Sequence, residues 1–164
     1  MSIKFVKNEQ LSFGSSDNKH LLLIGDNKDS LKYLLLTYKG KVKCIYIDPP
    51  YGCDNKSKYA KTNYNNKIKR NNLLDMLRIR LVLARQLLSE DGVLFCSIDD
   101  RNQAHVKLLF DEIFGEENFI GDFIRKTKST TNDAKTGVNY QHEFLLCYAK
   151  NSENVNLLGG EKDL

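Results

Sequence analysis

No stretch of the 164 residues is long and apolar enough to cross a bilayer, and "MSIKFVKNEQ" lacks the hydrophobic centre of a secretory leader. A cytoplasmic protein is the expectation. Cysteine is sparse, at Cys44, Cys53, Cys96 and Cys147, with no close pair. Three of the four lie inside apolar runs ("KCIYI", "LFCSI", "LLCYA"), which suits small buried thiols rather than a disulfide framework. The three histidines are scattered, so no zinc-type spacing exists and no metal is expected. Proline is scarcer still, with two residues. Pro49 and Pro50 stand side by side in "KCIYIDPPYG", and the sequence has no others.

What is present is ordinary in bulk and uneven in detail. Hydrophobic residues make up 41% and charged ones 28%, values of a soluble globular domain with room for one core. The net charge of +4 identifies no partner by itself. Its distribution says more, because Lys56, Lys58, Lys61, Lys67, Lys69 and Arg70 face only one Asp between Gly52 and Arg70. Tyr59 and Tyr64 are interleaved among them. Cations that displace condensed counterions and rings that stack on bases suit a nucleic-acid backbone. A merely solvated loop is the competing reading.

The pattern predicts alternating elements. "HLLLIGD" (20–26) reads as a buried strand, and "NKDSLKYLLLTYKG" as a helix capped by Asn27, with Leu31, Leu34 and Leu35 on one face and Gly40 at its end. "KVKCIYID" reads as a strand stopped by Pro49, which cannot donate to a ladder. The clearest helix is "NNLLDMLRIRLVLARQLLSEDG", where Leu74, Leu77, Leu81, Ala84 and Leu88 step by three and four. An apolar strand "GVLFCSIDD" follows, then a helix "RNQAHVKLLFDEIFG" burying Val106, Leu109, Phe110 and Ile113. Two strands, in "NFIGDFIRKTK" and "YQHEFLLCYAK", complete an α/β order. The apolar strands at 41–48 and 92–98 suggest a parallel sheet covered on both faces. Sites in such sheets lie beyond the C-terminal strand ends, which places Gly25-Asp26, Asp48 to Tyr51 and Ser97 to Asp100 on one rim.

On that rim, Asp-Pro-Pro-Tyr has a specific chemical use. Each proline fixes its own φ, removes an N–H and extends the residue before it. The strand end becomes a stiff bracket of carbonyls without donors, beside a carboxylate that only accepts. Two converging acceptors suit a nitrogen carrying two N–H bonds, such as a nucleobase amino group. Holding both hydrogens favours a pyramidal nitrogen and stabilises the positive charge that grows as it attacks a methyl donor. Tyr51 offers a flat face for a base extruded from a duplex.

"DPPY" after "KVKCIYI" resembles the catalytic motif of amino-group DNA methyltransferases that use S-adenosylmethionine, in the form typical of adenine-N6 enzymes. With "LIGDNKDSLKYLL", "NNLLDMLRIRLVLARQLLSEDGVLFCSIDD" and "LLFDEIFGEENFI", the sequence from about His20 to Lys150 looks like the permuted class. The modification subunits of type III restriction–modification systems are the best match within it. The resemblance implies a partial Rossmann-like methyltransferase sheet with flanking helices, acting on double-stranded DNA with S-adenosylmethionine as cofactor. It assigns Asp48 as carboxylate acceptor, Pro49 as carbonyl acceptor, Pro50 as stiffener and Tyr51 as stacking ring. Asp26 matches a contact to the cofactor's adenine, a role compatible with capping a helix. "SIDD" (97–100) either shapes the pocket or caps the next helix, and Tyr140 and His142 are weaker candidates on the strand behind the base.

The sequence departs from the class pattern in one respect. No Phe-x-Gly-x-Gly occurs, so the glycine-rich turn that approaches the methionine part of the cofactor has no counterpart, nor does a recognition domain. The expected division is an irregular lead-in at 1–19, the catalytic part at 20–150, and at 151–164 a tail or the start of a linker to an absent recognition region. A complementary C-terminal methyltransferase chain and a restriction subunit are the implied protein partners. Strand 20–25 or 41–48 would then expose an edge. Alone, such a chain should bind S-adenosylmethionine poorly and methylate little. The alternatives are a non-catalytic remnant or DNA-binding fragment, and the same chemistry on RNA or a protein amide.

Overall fold

In the computed structural model, residues 4–14, 20–51, 70–127 and 141–157 are described. Helix α1 spans Asn27–Tyr38, followed by strand β1 (Val42–Ile47), helix α2 (Arg70–Leu87) and strand β2 (Leu88–Ile98). Helix α3 (Asp100–Phe114) leads through a 3-10 turn into β3 (Phe119–Lys126), and β4 (His142–Ala149) closes the sheet. The strand order is β1-β2-β4-β3. Strand β1 pairs parallel with β2, with Ile45 opposite Leu94, while β4 runs antiparallel to both β2 and β3. The sheet is therefore mixed. Only its β1–β2 half has the parallel geometry expected from uninterrupted apolar strands.

The core forms where the sequence periodicities meet. Helix α2 contributes Leu73, Leu77, Leu81 and Ala84, each at most 3% exposed. Helix α3 contributes Val106, Leu109, Phe110 and Phe114, with Ile113 half-buried beside them. They pack on Leu94, Cys96 and Ile98 of β2 and on Leu146 and Tyr148 of β4. Each fully buried leucine contributes about 1.5–3 kcal/mol relative to exposure, so this cluster dominates stability. Gly92 is required by close approach, since a Cβ there would meet the Val42 carbonyl oxygen at 2.7 Å. Gly115 ends α3 at φ 92°, where an L side chain is strained.

Two local expectations are corrected. Residues 20–25 form no strand, and Leu21, Leu22 and Ile24 are 60%, 83% and 74% exposed. The run is apolar, but no described strand lies beside it to complete a ladder. The cap of α1 is Asp26 rather than Asn27: its carboxylate accepts from the Lys28 amide at 2.8 Å. Asn27 is the first helical residue. No helix among the described residues is long and apolar enough to cross a membrane.

Candidate functional site

Parallel pairing brings the C-terminal ends of β1 and β2 to one rim, and antiparallel β4 begins there, with Phe144 opposite Ile98. Asp48, Pro49, Pro50 and Tyr51 continue from β1. Asp48 is exposed, Pro49 is buried and Pro50 is half-buried, so the turn is seated by its first proline, and the Asp48 carboxylate lies close enough to act on the Tyr51 phenol. Tyr51 packs its half-buried ring against the main core. Its hydroxyl points to Glu143 Oε2 at 3.4 Å, and Glu143 is held by Arg125 at 2.5 Å. Burial, followed by the negative charges of Asp48 and Glu143, pushes the Tyr51 phenol above its ordinary range. The same carboxylate acts on its neighbour Cys96, whose thiol is raised chiefly by burial and secondarily by Asp48. Cys96 is thus an inert core thiol, not a nucleophile.

The 97–100 turn is built into this corner. Ser97, 2% exposed, shares a 2.6 Å hydrogen bond with the Tyr46 hydroxyl of β1. Asp99 precedes α3 in extended geometry but makes no side-chain cap bond. Its carboxylate accepts instead from Arg101 Nε at 2.7 Å and from Asn102 Nδ2 at 2.8 Å. Asn102, 3% exposed, also donates from Nδ2 to the Tyr51 carbonyl oxygen at 2.6 Å. Of the two roles open for "SIDD", capping through the Asp99 side chain is absent, and a structural tie to the Asp48–Tyr51 turn is present. Neither Asn102 nor Glu143 stood out in the sequence. The partners lie 51 and 92 residues from Tyr51, beyond any local pattern.

Asp26 caps α1 and pairs with Arg80 Nη2 at 3.1 Å, an arrangement in which α2 anchors the start of α1. Its carboxylate is engaged there by the guanidinium and by the Lys28 amide. His142 opens β4, its ring edge-on to Phe144 at 5.2 Å, a packing role. Tyr140, Lys56, Lys58, Lys61, Lys67 and Lys69 lie outside the described residues, and Arg70 is the first residue of α2. No group of three potential metal ligands occurs among the described residues. A cleft of about 400 Å³ lined by Arg78, Arg85, Glu112 and Lys150 lies at the other end of the sheet, where Lys150 meets the start of β2.

Chemically, the corner offers an exposed carboxylate, a donor-free turn and an aromatic ring fixed at its hydroxyl and its carbonyl. Known proteins share this sequence and fold. The chain is 32% identical to the Mod subunit of the type III restriction–modification enzyme EcoP15I of Escherichia coli, over 86% of this chain and 26% of that protein. It is 37% identical to the Mod subunit of a type III enzyme, HindVI, of Haemophilus influenzae, over 85% of this chain and 18% of that protein. The type II methyltransferase M.KpnI of Klebsiella pneumoniae is 36% identical, with 87% of this chain and 35% of that protein covered. The chain thus spans about a quarter or less of the Mod subunits it matches. Among solved structures, the cytosine-N4-specific PvuII DNA methyltransferase superposes with a TM-score of 0.56 at 15% identity, covering 79% of this chain and 48% of that one. M1.HpyAVI, solved as a complex with SAM, gives 0.55 at 13% identity, covering 85% and 58%. These two likenesses establish the fold, a partial methyltransferase sheet with flanking helices. The sequence model of one family, described as DNA methylase, matches residues 42–161, from β1 past the end of β4, and the chain belongs to that family.

Proposed function

We propose that this chain is the catalytic part of a DNA adenine-N6 methyltransferase of a restriction–modification system, with S-adenosylmethionine as methyl donor and double-stranded DNA as substrate. The observation that carries the reading is the corner itself: an exposed Asp48 at the end of β1, two prolines without donors, and Tyr51 held against the core. Residues 20–150 form the catalytic part, preceded by an irregular lead-in at 1–19 and followed at 151–164 by a tail or the start of a linker to a recognition region.

An extruded adenine at this corner presents two N–H bonds. The Asp48 carboxylate accepts one and the Pro49 carbonyl the other, while Pro50 adds no competing donor. Their pull turns the nitrogen lone pair out of conjugation, and the positive charge that grows on nitrogen sits beside a fixed negative one. The Tyr51 ring provides the stacking face, and Lys56, Lys58, Lys61, Lys67, Lys69 and Arg70 grip the phosphates.

S-adenosylmethionine supplies an electrophilic methyl group when bound. Among the described residues only Asp26 is assigned to it by family resemblance, and that carboxylate is already engaged by Arg80 and the Lys28 amide. The described residues do not by themselves make a cradle for the donor. Donor binding therefore needs further methylase sequence, from the same polypeptide or a second one, placed against the edge of β1 that no described strand covers. A restriction subunit is the further partner suggested by the type III relatives.

The incomplete cradle also favours a second reading, a DNA-binding fragment without catalysis. The two separate in one assay: transfer of labelled methyl from S-adenosylmethionine to DNA, with and without a complementary methylase segment. Label recovered as N6-methyladenine and lost in Asp48→Ala supports the enzyme. No incorporation even with the complementary segment overturns it in favour of the fragment.

A further inference from the structure

We infer that Asn102 is a positioning residue for methyl transfer, latching the Asp48–Tyr51 turn to the 97–100 turn through the backbone carbonyl of Tyr51. The inference rests on the reading of the corner given above.

The turn needs an external hold. Pro49 and Pro50 have no N–H, so neither can tie the turn to a neighbouring carbonyl. Asn102 meets the turn from the first turn of α3. Its buried amide nitrogen spends one hydrogen on the Tyr51 carbonyl at 2.6 Å and the other on Asp99 Oδ1 at 2.8 Å. A buried amide is costly unless satisfied, and asparagine is a poor helix former, so an apolar residue would serve the core better at this position. The Asp99 carboxylate is diverted from capping α3 and orients the amide, and Arg101 holds that carboxylate in turn. The chain of contacts Arg101–Asp99–Asn102–Tyr51 ends at the last residue before the basic loop. It fixes the Tyr51 ring and the Asp48 carboxylate in one frame while the following residues engage DNA. Misplacement by about 1 Å at a reacting corner costs on the order of a hundredfold in rate.

Two measurements test this. In hydrogen exchange of the isolated chain, Asn102→Ala should raise exchange in segment 45–53 about tenfold while segments 93–98 and 144–149 stay as in wild type. Should that variant fail to fold, Asp99→Ala, which removes the amide's orienting partner and its pair with Arg101 but keeps the Asn102 side chain, carries the same comparison. Exchange that rises evenly over the sheet, or nowhere, overturns the latch. In the chain assembled with a complementary methylase segment, Asn102→Ala should lower kcat about ten- to a hundredfold with KM for DNA within about threefold. Asn102→Asp sets a carboxylate against the Asp99 carboxylate and the Tyr51 carbonyl and can donate only when protonated. Its kcat relative to wild type should therefore recover as pH falls from about 8 to about 5.5, and that of Asn102→Ala should not. Unchanged kcat in both variants overturns the inference. A wild-type assembly that transfers no methyl refutes the enzymatic reading instead, and the exchange pattern still decides the latch.

Discussion

At the residue scale, Asp48 and Tyr51 share a corner but sit in different environments, and their substitutions should read differently. Asp48 is exposed and buries little apolar surface, so Asp48→Ala should move the melting temperature hardly at all. Methyl transfer by the assembled enzyme should fall about a hundred- to a thousandfold or more, since the acceptor that stabilises developing charge is gone. A melting shift as large as a core truncation would make Asp48 a structural residue. Tyr51 carries a pH signature. Its phenol is raised by burial and by two carboxylates, as is that of Tyr148 by burial and its bond to Asp111. A raised pKa means the folded state holds its proton more tightly than the unfolded state, whose tyrosines ionise near 10. Stability from these phenols is complete below about pH 10 and should decline as pH rises above it. An ultraviolet titration should show two of the eight tyrosines ionising only with unfolding; loss of every phenol proton from the folded chain would contradict it. The corner was legible because its signal is local, four adjacent residues with both prolines. Asn102 and Glu143 were not, because a contact across 51 or 92 residues leaves no trace in spacing.

At the scale of elements, the helices were the readable part. The three-and-four stepping of α2 and α3 foretold Leu77, Leu81, Ala84, Val106, Leu109 and Phe110, all buried. Amphipathic periodicity marks the face that tertiary packing will use. The boundaries were less legible: Leu88 belongs to β2 rather than α2, and Phe114 is buried more fully than Ile113. The apolar run at 20–25 shows where such reading stops. Hydrophobicity marks a segment that wants burial, but a strand exists only if a neighbour completes its ladder, and no described strand does so here. Mixed pairing was hidden for a related reason, since apolar composition does not encode strand direction. Leu81 tests the packing account. At 1% exposure in the centre of α2, Leu81→Ala should lower unfolding stability by about 2–5 kcal/mol in denaturant titration. A loss below about 1 kcal/mol would mean the α2 face is not the core it resembles.

At the scale of the whole molecule, the proposed reading makes a prediction for each of two partners. If the basic residues after Tyr51 grip phosphates, DNA affinity should fall steeply with salt, by about 0.9 of a logarithmic slope unit for each contact. Replacing Lys56, Lys58 and Lys61 with Gln should flatten that slope by up to about 2.7 units, and an unchanged slope would remove them from the interface. The second surface is the outer edge of β1, which among the described residues pairs with β2 on one side only. Tyr46 on β1 is 57% exposed, and Leu22 and Leu36, in the segments before it, are 83% and 81% exposed. An open parallel edge is a template for another strand, and exposed large apolar side chains are a route to self-association. Sedimentation of the isolated chain, under reductant because Cys44 on β1 is exposed, should show association that grows with concentration. Leu22→Lys with Leu36→Lys should reduce it. A complementary methylase segment should abolish it and, in the same mixture, convert weak S-adenosylmethionine binding in calorimetry into tight binding, because one docking event covers the edge and completes the cradle. Tight cofactor binding by the isolated chain, or association that persists beside a bound complementary segment, would show that this edge is not the seam at which the methylase is completed.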